Sequence, residues 1–268
     1  MAQNDAVFSG SIPLLYDQYI GPAMMVPYAD DLVARLSGMQ TGMLLETAAG
    51  TGIVTDALAR MLPDVTIVST DLNQPMLDYA ATKPALSRVQ FRQADALQLP
   101  FDDQSFDAVV CQFGVMFFPD RPAAFREAHR VLKPGGRFLF NVWESAAENP
   151  IVDATVAGLS RRYPDHESWF LERTPCGYRD PDIIRSDLAR GGFADCRIET
   201  VRLKGWAESA SAPAIGFCQG SPMRAELEAL DPTGLEAATA AATSAIAERF
   251  GQNAFDTELC ALVIEAIR

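Results

Sequence analysis

The stretch Met43-Leu44-Leu45-Glu46-Thr47-Ala48-Ala49-Gly50-Thr51-Gly52 decides how this chain folds. An apolar run ends in an acid, bends through small residues, and opens a helical pattern at Ile53. That is the form of a first strand handing a ligand to a helix N-terminus. Glycine lets the ligand approach the backbone, and the helix start offers unpaired N–H groups. The next apolar run (Val65, Ile67, Val68) ends in a second acid, Asp71. A carboxylate at the end of the second strand is placed to bind ribose hydroxyls.

Outward from this turn, two periodicities alternate. Strand patterns at 43–45, 66–70, 89–92, 108–112 and 137–142 are separated by helix patterns at 53–61, 75–80 and 123–132. Pro134-Gly135-Gly136 closes the last of these helices. Another helix is expected over 28–36, with Leu32, Val33 and Leu36 on one face. After Trp143 the alternation breaks into a helical insertion over 144–180. A helix at 182–189, a strand at 196–203, an Ala-rich helical insertion over 207–252 and a last strand at 259–266 follow. The pattern predicts an α/β fold with a doubly wound, mostly parallel seven-stranded sheet. One domain over 1–268 is expected, with an N-terminal segment 1–40 and a ligand-binding core 41–143.

The bulk numbers exclude several classes. The 268 residues are 49% hydrophobic, enough to bury a sizeable core. The net charge is −13 and the pI about 4.6, without the basic footprint that nucleic acid or an anionic membrane surface requires. The first Lys or Arg is Arg35, so no charged leader precedes an apolar run. The longest apolar stretch, 108–118, is too short to span a bilayer. Cys111, Cys176, Cys196, Cys218 and Cys260 are scattered, and no pair has metal or redox spacing. Buried, reduced thiols in a cytoplasmic protein are expected, with no metal.

The glycine turn itself discriminates between ligands. A dinucleotide fingerprint needs a small residue three positions after its second glycine, and Thr55 stands there. Glu46 has no place beside a pyrophosphate, which it would repel. A P-loop is excluded, because no Gly-Lys-Ser/Thr follows. These points disfavour a nicotinamide oxidoreductase. S-adenosylmethionine meets the constraints, having an ammonium, a sulfonium, a ribose diol and no phosphate.

Leu44 through Gly52 resembles the first motif of the class I S-adenosylmethionine-dependent methyltransferases. Thr70-Asp71-Leu72-Asn73 with Pro75-Met76-Leu77 is similar to the family's second motif. Gln93-Ala94-Asp95-Ala96 with Leu99-Pro100-Phe101 resembles its adenine-contacting segment. The stretch from Ser105 to Phe113 resembles the fourth-strand motif, and Arg130-Val131-Leu132-Lys133-Pro134-Gly135-Gly136 the turn before the fifth strand. The subgroup most resembled is the ubiquinone/menaquinone-biosynthesis-like (type 11) methyltransferases. One departure is Ala48, where the family often has Gly; its methyl group is expected to crowd the methionyl end.

The resemblance implies a last strand that runs antiparallel, and it implies roles. Gly50 and Gly52 admit the cofactor, Glu46 orients its amino end, and Asp71 accepts both ribose hydroxyl protons. Asp95 accepts from the adenine amine while Ala96 offers a backbone N–H, and Leu72 and Met76 sandwich the adenine. Gln112 and Phe113 border the transferred methyl, with Met116, Phe117 and Phe118 divided between pocket and core. Tyr16 and Tyr19 form a lid. His129 is expected to favour a helix C-terminus electrostatically. His166, between Asp165 and Glu167, reads as a solvated loop histidine and a weak candidate for a catalytic base. The implied reaction is in-line methyl transfer to a small, largely apolar molecule, releasing S-adenosylhomocysteine. The alternative is a non-catalytic S-adenosylmethionine-binding regulator or partner. No nucleic acid and no membrane insertion are implied, and the chain leaves room for a homodimer.

Overall fold

Strand order in the sheet follows from where the chain reverses direction across it. The computed structural model describes Phe8 and residues 10–268. Among these, seven strands form one sheet: β1 (Gly42–Glu46), β2 (Val65–Asp71), β3 (Gln90–Gln93), β4 (Phe106–Gln112), β5 (Leu132–Trp143), β6 (Cys196–Ala207) and β7 (Phe255–Ile267). The order is β3-β2-β1-β4-β5-β7-β6. β1 pairs in parallel with both β2 and β4, β3 extends from β2, and β5 from β4. β7 runs antiparallel to β5, from Arg137↔Ile267 to Trp143↔Ala261. The chain builds outward from β1 to β3, then returns to β4 on the other side. That reversal creates a crevice at the carboxyl ends of β1 and β4, where open α/β sheets bind ligands.

The chain divides into two units, and each has its own core. The sheet unit comprises Tyr28–Trp143, Tyr178–Val201 and Ala261–Arg268. Against one sheet face, Leu32, Val33 and Leu36 pack with Val54, Ala57 and Leu58 over Leu44, Ile67, Val110 and Leu139. The helix Ile53–Met61 buries these residues at the spacing its sequence shows, and its chain turns at Leu62 before Pro63. Phe125, Phe138, Phe140 and Phe193 form a second aromatic cluster, with the His129 ring edge-on to Phe193 at 5.1 Å. Burial holds the His129 imidazole below its usual range, and Arg268 adds to that. It stands in the last turn of the helix Arg121–Val131 as expected, but the lowered titration disfavours the charged form that an electrostatic role there needs.

The helical unit comprises Met1–Pro27, Glu144–Gly177 and Arg202–Cys260. The expected N-terminal segment and both expected insertions supply most of it. Its helix Leu235–Phe250 buries Ala238, Ala242 and Ala245, small residues that let another helix come close. That helix is Pro150–Arg162, whose Gly158 lies so near that an added Cβ would stand 2.6 Å from the Ala241 carbonyl oxygen. The chain over Tyr16–Met25 winds as a wider π-helix with Pro22 inside it. Proline removes a backbone donor, and the wider winding accommodates the break. Among the described residues, no helix is long and apolar enough to cross a membrane.

Some local expectations are corrected. Met43, although apolar, stands 36% exposed, because it lies at the open start of β1. Cys196 is half-buried, at the start of β6. Pro134-Gly135-Gly136 falls within β5, where pairing already begins at Phe106↔Leu132 before the register shifts.

Candidate functional site

The turn after β1 is strung between two strands. The Thr47 N–H donates to the Val110 carbonyl of β4 at 2.9 Å, and the Ala49 N–H to the Thr70 carbonyl of β2 at 2.9 Å. Ala48, between them, takes a left-handed φ of +53°. Gly50 and Gly52 follow at +56° and +83°. The two glycines differ in what they provide. An added Cβ at Gly50 would meet nothing within 4 Å, so its backbone faces open space. One at Gly52 would press on Leu86 at 2.9 Å and Ala80 at 3.1 Å, so Gly52 serves packing. The helix Ile53–Met61 starts immediately after, with no side-chain cap on its N–H groups.

Two carboxylates flank this turn. Glu46, only 2% exposed, ends β1. Its Oε2 accepts from Thr55 Oγ1 at 2.6 Å and Ser69 Oγ at 2.8 Å. Burial pushes its carboxyl up to about 7, against the pull of these hydroxyls, and the nearby Asp71 adds to the rise. Asp71, 7% exposed, ends β2. Its Oδ2 accepts the Gly50 N–H at 2.9 Å and its Oδ1 the Asn73 N–H at 2.7 Å. Burial raises its carboxyl too, while those N–H groups pull it down. Each carboxylate oxygen can accept more than one hydrogen bond. No Lys or Arg stands in 46–56 or 69–82.

The flanking segments converge on the same sheet end. The Ala94 N–H donates to the Asp71 carbonyl at 3.0 Å, tying the loop after β3 to β2. In that loop Asp95 is exposed and its Oδ1 accepts the Leu97 N–H at 2.9 Å, while Ala96 is half-buried. Leu72 leaves a large apolar side chain 54% exposed beside Asp71. Met76 is buried in the helix Gln74–Ala81. Gln112 ends β4, half-buried, with its Oε1 accepting from Asn141 Nδ2 at 3.4 Å.

Phe113 is placed differently from expectation in one respect. Its ring is buried, stacked on Trp143 at 3.7 Å and edge-on to Tyr28 at 5.3 Å. Its backbone takes φ +49°, and its N–H donates to Asn141 Oδ1 at 2.9 Å. The ring therefore belongs to a packed aromatic group, and the Phe113 backbone is held to β5 by Asn141. Val115–Phe117 forms a short 3-10 turn, with Met116 buried and Phe117 and Phe118 half-buried.

Tyr16 and Tyr19 lie in the helical unit, half-buried in the first turns of the π-helix. His166 lies there too, and its reading as a solvated loop residue is corrected. His166 Nε2 is 2.6 Å from Glu226 Oε1, and its ring rests 4.2 Å from Trp169. Arg173 donates to both oxygens of Glu226, at 2.7 and 3.1 Å, and the Phe170 N–H donates at 3.0 Å. One carboxylate thus gathers the segment 166–173.

Three residues of the site escaped the sequence reading. Thr55 counted only as a misfit to a dinucleotide motif, yet it is fully buried and holds Glu46. Ser69 does the same from β2. Asn141, buried inside an apolar run, pins the Phe113 backbone. Of the three, only Asn141 carries a sequence signal, as a lone polar residue within an apolar strand.

This geometry fits a ligand with a ribose diol and an ammonium group and no phosphate. Two buried carboxylates, an open glycine backbone and an uncovered leucine meet at one sheet end.

A family model described as "Methyltransferase domain" matches residues 45–140. The chain is 32% identical over 179 residues to the ubiquinone/menaquinone biosynthesis C-methyltransferase of Teredinibacter turnerae, covering 61% of this chain and 72% of that one. It is 42% identical over 166 residues to the demethylmenaquinone methyltransferase of Deinococcus radiodurans, covering 56% and 67%. Among solved structures, phosphoethanolamine N-methyltransferase 2 of Haemonchus contortus, in complex with phosphomonomethylethanolamine and S-adenosylhomocysteine, aligns with a TM-score of 0.61. That likeness has 17% identity over 96% of this chain and 57% of that one, and it shows the shared fold.

Proposed function

Because the chain belongs to the class I S-adenosylmethionine-dependent methyltransferases of the ubiquinone/menaquinone-biosynthesis type, we propose that it methylates a small, largely apolar acceptor. The observation that carries the site assignment is the pair of buried carboxylates, Glu46 and Asp71, on either side of an open glycine backbone. S-adenosylmethionine supplies an electrophilic methyl on sulfur, whose thioether leaving group needs no proton.

Asp71 binds the ribose diol through charge-assisted hydrogen bonds, and its Gly50 partner fixes where the carboxylate points. Glu46 takes the ammonium, held in aim by Thr55 and Ser69. Leu72 covers one face of the adenine with surface that is otherwise exposed to water, and Met76 backs the other side from the core. Asp95 and Ala96 read the adenine edge. Gln112 and the Phe113 backbone border the reacting methyl at the end of β4. Catalysis here rests mostly on holding the reactants in line and excluding water.

The names of these relatives support an aromatic acceptor related to quinones. The reading is tested by incubating the protein with S-adenosylmethionine and a panel of phenolic, quinol and amine acceptors. S-adenosylhomocysteine should form with an apolar aromatic acceptor and not without one. Turnover only with charged amines would contradict the acceptor class. Stabilisation by NADH and not by S-adenosylhomocysteine would contradict the cofactor site.

A further inference from the structure

We propose that Ala48 and Gly114 are a matched pair that spaces the turn after β1 from the segment after β4, and so positions the methionyl end of the cofactor. The inference rests on the cofactor reading above.

Three non-glycine residues among those described have a left-handed backbone: Ala48, Gln104 and Phe113. Two of them stand at the ends of paired strands, where Glu46 of β1 lies opposite Val110 of β4. Left-handed backbone is costly for a residue with a side chain and persists only where the surroundings impose it. Both are imposed here. Ala48 is flanked by N–H groups tied to β4 and β2, and Phe113 is fixed by Asn141 and by the Trp143 stack. The residue after Phe113 is Gly114, which faces Ala48. A Cβ built on Gly114 would stand 2.4 Å from the Ala48 methyl carbon and 2.8 Å from Cys111 Sγ. Real Cβ atoms do not approach so closely, so Gly114 cannot carry a side chain while Ala48 keeps its methyl, and glycine at 48 relieves that contact but leaves the one with Cys111.

The Ala48 methyl therefore points toward the β4 segment. The expectation that it crowds the cofactor is replaced by a spacing role. Glycine at 48 would relieve the backbone strain but leave a gap between the turn and residues 113–116. Alanine at 114 would force the two apart. Ala48 is thus a positioning residue, acting through the backbone of 113–114.

The test is calorimetric titration with S-adenosylhomocysteine of the wild type, A48G, G114A and A48G/G114A, with thermal midpoints confirming that each variant is folded. Contact between the two positions predicts coupled effects. A48G should bind about three-fold more weakly and G114A about ten-fold or more, while the double variant recovers roughly three-fold over G114A. Simple multiplication of the two single effects overturns the pair. If G114A does not fold, A48G decides alone, and affinity equal to or tighter than wild type overturns the spacing role. A wild type that fails to bind overturns the cofactor reading and this inference with it, which is distinct from a wild type that binds and variants that act independently.

Discussion

Lowering the pH from 8 to 6 should weaken S-adenosylhomocysteine binding by about ten-fold, and Glu46→Gln should remove that dependence. Burial carries the Glu46 carboxyl from its ordinary 4.5 to about 7. If only the carboxylate form pairs with the ligand ammonium, roughly nine in ten molecules are competent at pH 8 and about one in eleven at pH 6. The ratio is about ten-fold, or about 1.4 kcal/mol. Binding at pH 7 should release about half a proton, since pairing with the ammonium draws the carboxyl fully into its ionised form. Asp71 faces Glu46 and is raised by burial too, so any slope that survives in Glu46→Gln reports Asp71, and the other neighbours do not titrate in this range. Cys111 is held as a neutral thiol by burial, pushed up to about 12, and Thr55 and Ser69 do not titrate.

The unliganded protein should respond in the opposite sense. A carboxyl raised in the folded state favours folding when protonated, so its contribution is fully present below pH 4.5 and lost as the pH rises through about 7. Above pH 8 the ionised Glu46 opposes folding by up to roughly 3 kcal/mol. Asp71 is raised by burial as well and has the same sign. Glu46→Gln should therefore raise the thermal midpoint of the unliganded protein at pH 8 while weakening ligand binding. The assay is calorimetry at pH 6, 7 and 8 in two buffers of different ionisation enthalpy, with thermal melts alongside. Wild-type affinity flat within two-fold over this range, or an equal slope in the variant, would refute the reasoning.

Thr55→Val keeps the shape but removes the hydroxyl on Glu46 Oε2. The midpoint of the pH dependence should move upward and affinity at pH 7 fall about five-fold, consistent with losing a hydrogen bond to a charged group; an unmoved midpoint would count against it. Asn141→Ala removes the shorter acceptor of the buried Phe113 N–H. It should cost about 1–2 kcal/mol and lower the thermal midpoint by roughly 3–6 °C, read by calorimetric melting. His166→Ala breaks the contact with Glu226 but leaves Arg173 on that carboxylate. A fall of roughly 2–4 °C with kcat within about three-fold is expected, whereas a hundred-fold loss of kcat without a change in midpoint would make His166 the base.

The sheet was readable in the chain because its central strands are apolar runs bounded by turn signals, while the edge strands β3 and β6 carry polar residues and were placed by their spacing between the neighbouring elements. The glycine turn, Glu46 and Asp71 were readable for a related reason: they lie at strand ends, where the local pattern fixes position. The supporting residues were not. Thr55 and Ser69 reach Glu46 from a different helix and a different strand, and only pairing in three dimensions shows that they converge. His166 meets its partner 60 residues away, a contact that no local pattern encodes. Phe113 looked like a pocket residue because it follows β4; the left-handed turn that sends its ring into the core depends on Asn141 of the neighbouring strand. The division into two units was hidden as well. Each is assembled from three separate stretches, so composition along the chain does not mark the boundary.

The central claim is that Asp71 and the open glycine turn hold S-adenosylmethionine. Its most direct test is calorimetric titration of the wild type and Asp71→Ala with S-adenosylmethionine at pH 7.5, both checked for folding by circular dichroism. The wild type should bind one equivalent, and the folded variant should bind at least about ten-fold more weakly through loss of charge-assisted hydrogen bonds. Equal affinity in the two folded proteins would contradict the account.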